Sequence, residues 1–363
     1  MVLIHHIRNF YGRYERPISS LSLVLGFVID AFTLKRVDKL SENLLIFGYL
    51  LIIGIFIILI HLKESEAGGE KNTSSAHFWY VNILQFSFGG VFSAFLVLYF
   101  RSADIFVAWP FIALLAITFI ANEFLKKHYI RLSFQISLFF LSIYWFMIFL
   151  VPVVLHKIGT WAFLTSGFLS LVLIALFLKV LFHFTKDKFT ESKRLVISLV
   201  TGIFILVNLL YFTNLIPPIP LSLKDAGAYH SIVKNSEGDY VVTYEDKGWQ
   251  AYFQLYPEFH LIPGSPVYAY SAVFSPHDLN LIILHEWQHY DEDNNTWTMA
   301  GVVNLKVIGG RDGGFRTYSR FTNLAGGKWR VNIKTEHNQT IGRLRFNIIT
   351  VVDTAPLLTT TVK

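Results

Sequence analysis

The chain has 363 residues, 53% apolar and only 15% charged, with a mean hydropathy of +0.47 and a net charge of +6. Soluble globular proteins average about 45–50% apolar and about 25% charged residues, so this composition excludes a wholly water-soluble fold. The sequence contains no cysteine, which excludes disulfides, thiolate metal sites and cysteine nucleophiles.

Both the apolar excess and the positive charge sit in the first 216 residues. Up to Ile216 there are 18 Lys+Arg against 11 Asp+Glu, and after it 13 against 14. The basic balance therefore belongs to the apolar half, where it reads as loop charge that orients helices and requires no nucleic acid. A helix needs about 20 mostly apolar residues to cross a bilayer. Seven stretches are predicted to do so: Pro17–Leu34, Asn43–Leu62, Phe78–Phe100, Ile105–Leu125, Leu132–Leu155, Thr160–Phe182 and Leu195–Ile216. The first is the shortest and carries Asp30. Met1–Arg16 is polar, basic and aromatic, without the apolar core and small-residue cleavage site of a signal peptide, so the first span is expected to be retained.

With seven spans, 13 Lys+Arg fall on one side of the membrane and 5 on the other. The richer side includes Arg8, Arg13 and Arg16, which predicts a cytoplasmic N-terminus and a C-terminal region outside the cytoplasm. Inside the spans, Asp30 is costly unless it faces the bundle interior, with Arg36, Arg101 or Lys157 near enough in the topology to pair with it. Asn122 and Glu123 lie toward the opposite end of the fourth span, with Lys179 at the matching end of the sixth. These polar positions read as helix-to-helix hydrogen bonding, with proton or ion relay as the functional alternative. Asn82, Gln85, Gly89 and Gly90 of the third span suggest close helix packing.

Three prolines in Asn214–Pro220 end the last span. Residues 217–239 read as a proline-rich linker with a short surface helix from about Ser222 to Val233, started by the capping groups of Ser222 and Asp225. From Tyr240 the apolar period becomes two. Strands are predicted over Tyr240–Glu245, Trp249–Tyr256, Val267–Phe274, Leu279–Asp291, Thr296–Ile308, Phe315–Asn323, Lys328–Glu336 and Ile341–Val352, separated by turn-forming residues. The expected fold is thus a membrane α-helical bundle (1–216) followed by an all-β antiparallel sandwich-like domain (240–363).

His285-Glu-Trp-Gln-His289 matches the H-E-x-x-H zinc-protease pattern. That chemistry needs a helix, where residues four apart lie about 5–6 Å from each other. On a strand they stand roughly 13 Å apart, too far for one ion. The flanking Ser275-Pro276 and Asp293-Asn294-Asn295 give a hairpin context, with Trp287 toward the core and Glu286 and Gln288 on the other face. No catalytic residue, metal or cofactor is therefore expected. A membrane-anchored zinc metallopeptidase using His285, His289 and Glu286 remains the alternative, and a transporter or channel component with Asp30 and Glu123 as titrating groups is a second. Gly309–Gly314 has no phosphate-loop lysine and reads as a strand-to-strand turn.

Alternation places Arg316, Tyr318 and Arg320 on one face of a strand, Lys328, Arg330, Asn332 and Lys334 on one face of the next, and Arg343 and Arg345 on one face of the last. If these faces align, they make a basic, tyrosine-bearing strip suited to an anionic polymer or lipid headgroup; solvated strand faces look the same in sequence. Trp249, Trp297 and Trp329 are expected to pack the core. The reading that follows is a non-catalytic β-domain that recognises an envelope component, whether polysaccharide, lipid headgroup or protein.

Arg16–Ser19, Gly26–Asp30, Asn214–His230, His285–Trp287, Gly309–Ser319 and Gly327–Val331 together resemble bacterial membrane proteins that carry the domain of unknown function numbered 2914. The resemblance implies a multi-span N-terminal region and a β-rich C-terminal domain, with the His-x-Trp in a strand. It implies no activity.

Overall fold

The computed structural model describes residues 21, 24–34, 39–66, 75–102, 104–125, 128–218, 220–236, 239–246, 248, 254–275, 281–307, 314–353 and 356–362. The chain forms two compact units, residues 1–101 with 110–216, and residues 102–109 with 217–363.

The first unit is helical: α1 (Val24–Thr33), α2 (Leu40–Glu66), α3 (Ser75–Ser102), α4 (Ile105–Phe124), α5 (Leu132–Leu155), α6 (Thr160–Phe184) and α7 (Lys186–Phe212). Among the described residues, α2 to α7 are long and apolar enough to cross a membrane, whereas α1 is a shorter apolar helix. Residues 17–20, 22 and 23 of the first predicted span, with Arg36, lie outside the described residues. Proline lies in the second turn of α4 (Pro110) and the last turn of α5 (Pro152), each removing one backbone N–H from its helix. The interior is aromatic. Trp145 of α5 meets Phe92, Phe95 and Phe111 edge-on at centroid distances of 5.7–6.2 Å. Gly90 makes room for the Tyr49 ring where α3 passes α2, since a Cβ there would lie 2.7 Å from it.

The second unit has eleven strands in three sheets: β1 (Ser222–Tyr229), β2 (Ser231–Lys234), β3 (Tyr240–Glu245), β4 (Glu258–Leu261), β5 (Val267–Phe274), β6 (Leu281–Asp291), β7 (Thr296–Val307), β8 (Phe315–Phe321), β9 (Gly327–Thr335), β10 (Thr340–Thr350) and β11 (Leu357–Val362). The sheets run β1-β5-β8, β4-β10-β9-β6-β7 and β11-β3-β2. The three-stranded β1-β5-β8 sheet is the middle layer. Val267, Ala269 and Phe321 on one face pack with Trp287, Trp329, Val331 and Phe346 of the five-stranded sheet. Tyr270 and Ala272 on the other face pack with Ile232 and Val242 of the third sheet.

Four expectations change. Ser222–Val233 is strand, not helix: β1 pairs along its whole length with the free edge of β5, and this ladder outweighs capping signals worth about 1 kcal/mol. The domain is not purely antiparallel, because β4 pairs parallel to β10. Gln254–Tyr256 carries no strand, while Trp249–Phe253 lies outside the described residues apart from its neighbour Gly248. β4 and β11 were not anticipated, the first held between Pro257 and Pro263, the second threonine-rich.

The remaining predicted strands are present to within two residues at most ends. Asp291 closes the β6–β7 hairpin, its Oδ1 accepting the N–H groups of Asp293 (3.0 Å) and Asn294 (3.2 Å), with Asn295 at φ 51°. Gly314, the described end of the predicted glycine turn, has φ +87°, and a Cβ there would lie 2.9 Å from the Ala272 backbone.

Candidate functional site

The H-E-x-x-H segment lies within β6. Its alternation sends His285, Trp287 and His289 to the inner face and Glu286 and Gln288 to the outer one, opposite Asn332 and Arg330 of β9. His285 is fully buried, with Nε2 2.8 Å from Ser271 Oγ and Nδ1 2.9 Å from Ser319 Oγ. Trp287 Nε1 donates to the same Ser319 hydroxyl at 2.9 Å. Burial pushes the His285 pKa down to about 4, so the ring is neutral at pH 7. His289 instead bonds the Gly326 carbonyl (3.0 Å) and packs on Trp329. The two imidazoles thus serve separate hydrogen bonds on an extended strand, and the helix that a zinc peptidase requires is not formed.

The predicted basic strip divides. Arg316, Tyr318 and Arg320 lie on β8 in the middle sheet, whereas Lys328 and Arg330 (β9) and Arg343 and Arg345 (β10) lie in the five-stranded sheet. Because Thr317 and Ser319 take the face toward β6, alternation turns Arg316, Tyr318 and Arg320 toward the third sheet. Arg316 is buried there, donating to Asp239 Oδ1 (2.9 Å) and the Val362 carbonyl (2.8 Å). Arg320 lies over the Tyr268 ring and Tyr318 packs on Tyr240 and Tyr268. These three form no common surface with the β9 and β10 cations.

The outer face of the five-stranded sheet does gather charge. Lys334 Nζ (2.8 Å), Asn332 Nδ2 (2.9 Å) and Gln288 Nε2 (2.7 Å) all donate to the Glu286 carboxylate. Burial works to raise the Glu286 pKa, but hydrogen bonds from Lys334 and Asn332 outweigh it and hold the group ionised. The chain of contacts continues outward: Arg330 Nε donates to Gln288 Oε1 and Arg343 Nε to Asn332 Oδ1, each at 2.6 Å. The Arg343 backbone N–H donates to Asp104 Oδ2 at 2.8 Å. Arg345 faces Arg330 directly in the ladder. Lys328 sits apart, near Glu292 and the Tyr290 ring.

Sequence reasoning missed the aromatic part of this face. Trp297 is not in the core: the Arg330 guanidinium lies over its ring at 4.1 Å, and Tyr256 and Tyr290 flank it at 6.3 and 5.1 Å. The signal was available, since Trp297 pairs with Tyr290 at the hairpin end, on an edge strand whose residues alternate little in hydrophobicity. Burial, then the neighbouring Arg343, lowers the Arg330 pKa to about 10, and burial with Arg345 lowers that of Arg343. Cations so crowded are stabilised by an added anion. Among the described residues, the terminal Nη nitrogens of Arg330 and Arg343 have no protein acceptor.

Most of this face falls within a recognisable segment. Residues 282–348 match the family described as Protein of unknown function (DUF2914). The match takes in β6 to β9 and most of β10, and so contains His285, Glu286, Arg330 and Arg343, while the resembling segments before residue 282 lie outside it. No curated protein matches the chain. Among solved structures, the chain is similar to the Pseudomonas fluorescens alkylpurine DNA glycosylase AlkC bound to DNA containing an abasic site analog, at 9% identity and a TM-score of 0.22, over 87% of this chain and 100% of that one. A score that low carries no argument.

In the helical unit, Asp30, Asn122 and Glu123 all line one cavity of about 270 Å³ between α1, α2, α3 and α4. Ser93 Oγ donates to Asp30 Oδ2 at 2.5 Å, while Arg101 donates to the Ala31 carbonyl. Gln85 and Asn122 exchange hydrogen bonds, each amide donating to the other's backbone carbonyl (3.2 and 3.3 Å), and Tyr129 donates to Asn122 Oδ1. Asp30 and Asn122 thus hydrogen-bond across helices, beside a cavity, and the described partner of Asp30 is a serine in place of the expected cation.

Proposed function

We propose that this chain is an integral protein of a bacterial cytoplasmic membrane, with residues 1–216 in the bilayer and the β unit in the periplasm, and that the outer face of the five-stranded sheet binds an anionic envelope component. The observation that carries the reading is the anchoring of Arg330 and Arg343 through Nε, which, among the described residues, leaves each terminal nitrogen pair without a protein acceptor. A guanidinium fixed in this way presents a planar two-donor fork to a carboxylate or phosphate and loses little further freedom on binding. Trp297 and Tyr256 add an aromatic surface beside it, suited to the apolar face of a sugar ring.

Membrane insertion is supported by the six long apolar helices and by the large side chains α6 and α7 leave exposed, among them Phe168, Leu176, Ile205 and Leu209. The charge bias of the loops supports the orientation. The chain lacks cysteine, so Lys328→Cys offers a single labelling site; it is expected to react with a membrane-impermeant maleimide in intact spheroplasts. For the site, the full-length protein in nanodiscs is titrated with a polyuronate, phosphatidylglycerol vesicles and neutral dextran. Binding of an anionic probe, weakened at least about tenfold (about 1.4 kcal/mol) in Arg330→Ala/Arg343→Ala, is expected. Equal binding by parent and variant shows the face to be ordinary solvated surface.

A further inference from the structure

The arginine face holds more positive charge than one carboxylate can answer. In the β9–β10 ladder Arg330 stands directly opposite Arg345, and Arg343 stands opposite Asn332, one diagonal step from Arg330. Diagonal neighbours of an antiparallel pair lie about 7–8 Å apart, close enough for two arginine side chains to converge on one group. Like charges directly opposite each other weaken a ladder, so this arrangement costs stability unless a negative group joins it. The carboxylates at hand are already engaged. Glu286 accepts from Lys334, Asn332 and Gln288, and Asp104 accepts the Arg343 backbone N–H. Each also acts on the Arg343 charge, but the repulsion from Arg345 is larger than either.

The donors are held in place. Gln288 Oε1 and Asn332 Oδ1 each take one Nε, which restrains each guanidinium and, among the described residues, leaves its Nη pair without a protein acceptor. Both amides in turn donate to Glu286, so the two forks rest on one hydrogen-bonded base. Tyr256 lies near enough to Arg330 and Arg343 to act on the charge of each, and its ring runs within 16° of parallel to that of Trp297. A carboxylate offers two oxygens and one charge, which a single fork satisfies. A phosphate monoester offers three terminal oxygens and a charge of about −1.5 to −2, enough to meet a fork on each of two edges and to neutralise both arginines.

We propose that Arg330 and Arg343 close together on one phosphate monoester group, each presenting its terminal nitrogens to a different edge of the phosphoryl oxygens. This rests on the anion-binding reading of the same face. It narrows the ligand to a component with a terminal phosphate, carried on a soluble sugar or on a lipid headgroup.

The test is calorimetric titration of the full chain in phosphatidylcholine nanodiscs with glucose 1-phosphate, glucuronate and glucose. Beside it, binding is measured to phosphatidylcholine vesicles doped with phosphatidate, a monoester, or with phosphatidylglycerol, a diester. At least about a tenfold preference is expected for glucose 1-phosphate over glucuronate, or for phosphatidate over phosphatidylglycerol, and glucose is expected not to bind. Whichever monoester binds identifies the source. The second proton of the ester leaves near about pH 6, so its binding is expected to weaken about tenfold from pH 7 to pH 5, while glucuronate, ionised throughout, changes little. The pH arm needs no variant. Arg330→Lys/Arg343→Lys keeps both charges and removes both forks; in a folded protein it is expected to abolish the preference for the monoester. Equal binding of monoester and non-monoester probes, monoester binding indifferent to pH, or a folded lysine variant that keeps the preference overturns the phosphate assignment and leaves the anion-binding reading standing. Binding of no anionic probe overturns both.

Discussion

In the helical unit, Ser137, Ser142, Ser166 and Ser170 each turn back to the backbone carbonyl four residues earlier, at 2.7–2.8 Å. In the β unit, Ser271 and Ser319 serve His285 across 14 and 34 residues of sequence, and Lys334 reaches Glu286 across 48. Those four hydroxyls are satisfied locally by their own helix, whereas Ser271 and Ser319 are satisfied by tertiary register. A helix carries its own backbone acceptors along each side chain, whereas a strand spends them on its neighbours. It follows that polar substitutions in the two units differ in cost, and the largest cost falls where a side chain ties two sheets together.

His285→Ala is the sharpest way to break the comparison. It removes a fully buried ring from between the middle and five-stranded sheets and takes one hydrogen-bond partner each from Ser271, which keeps Thr317, and Ser319, which keeps Trp287. The cavity and the lost hydrogen bonds together are expected to cost about 3–5 kcal/mol. Hydrogen exchange over β5, β6 and β8 of the full-length protein measures this as protection lost in all three strands. Protection lost in β6 alone shows that the ring does not couple the sheets.

The same contrast explains what the sequence made legible. Leu132–Leu155 is both a predicted span and the observed α5, because a run of twenty-four mostly apolar residues states its structure locally. Tyr240–Glu245 and Val267–Phe274 were equally plain as β3 and β5 from alternation and turns. Ser222–Tyr229 misled because its capping residues are local signals, while its partner β5 begins some forty residues later. The candidate face was half legible. Alternation correctly put Arg330, Asn332 and Lys334 together, but nothing local assigns β8 to a different sheet from β9, and so Arg316 was grouped with cations it never meets. Trp297, expected in the core, lies on the polar side with its hairpin partner Tyr290 and Arg330.

Glu245 tests the comparison at an intermediate level. It ends β3, and its carboxylate takes His230 Nε2 (2.9 Å) on Oε1, the His260 backbone N–H (2.7 Å) on the same oxygen, and His260 Nδ1 (2.8 Å) on Oε2, so one residue joins the third sheet to β4 of the five-stranded sheet. Burial alone would raise its pKa, but the hydrogen bonds from His230 and His260 prevail and hold it at about 2, against an ordinary 4.5. A carboxylate with a depressed folded pKa stabilises fully above the unfolded value. That contribution is therefore present above about pH 4.5, declines as pH falls, and is gone below about 2. Glu245→Gln is expected to cost about 1–3 kcal/mol at pH 7 and to flatten the loss of stability between pH 4.5 and 2. Acid unfolding of the two proteins, followed by exchange in β3 and β4, measures both effects. Parallel acid curves would show that other carboxylates carry the dependence.

The smallest effect is predicted for Ser170→Ala in α6. The side chain is fully buried, so burial alone would rank it beside Ser319. Its hydroxyl, however, bonds only the Ser166 carbonyl one turn earlier, and that carbonyl keeps its helical N–H partner after the hydroxyl is gone. Alanine also has the better helix propensity by up to about half a kcal/mol. The two terms oppose each other, and a net change within about 0.5 kcal/mol is expected, against well over 1 kcal/mol for Ser319→Ala, which strips partners from both His285 and Trp287. Paired thermal unfolding of the two variants reads the difference directly. A Ser170→Ala protein as unstable as Ser319→Ala would mean that Ser170, like Ser93 of α3, binds across the bundle, and the division between local and tertiary satisfaction would not hold for α6.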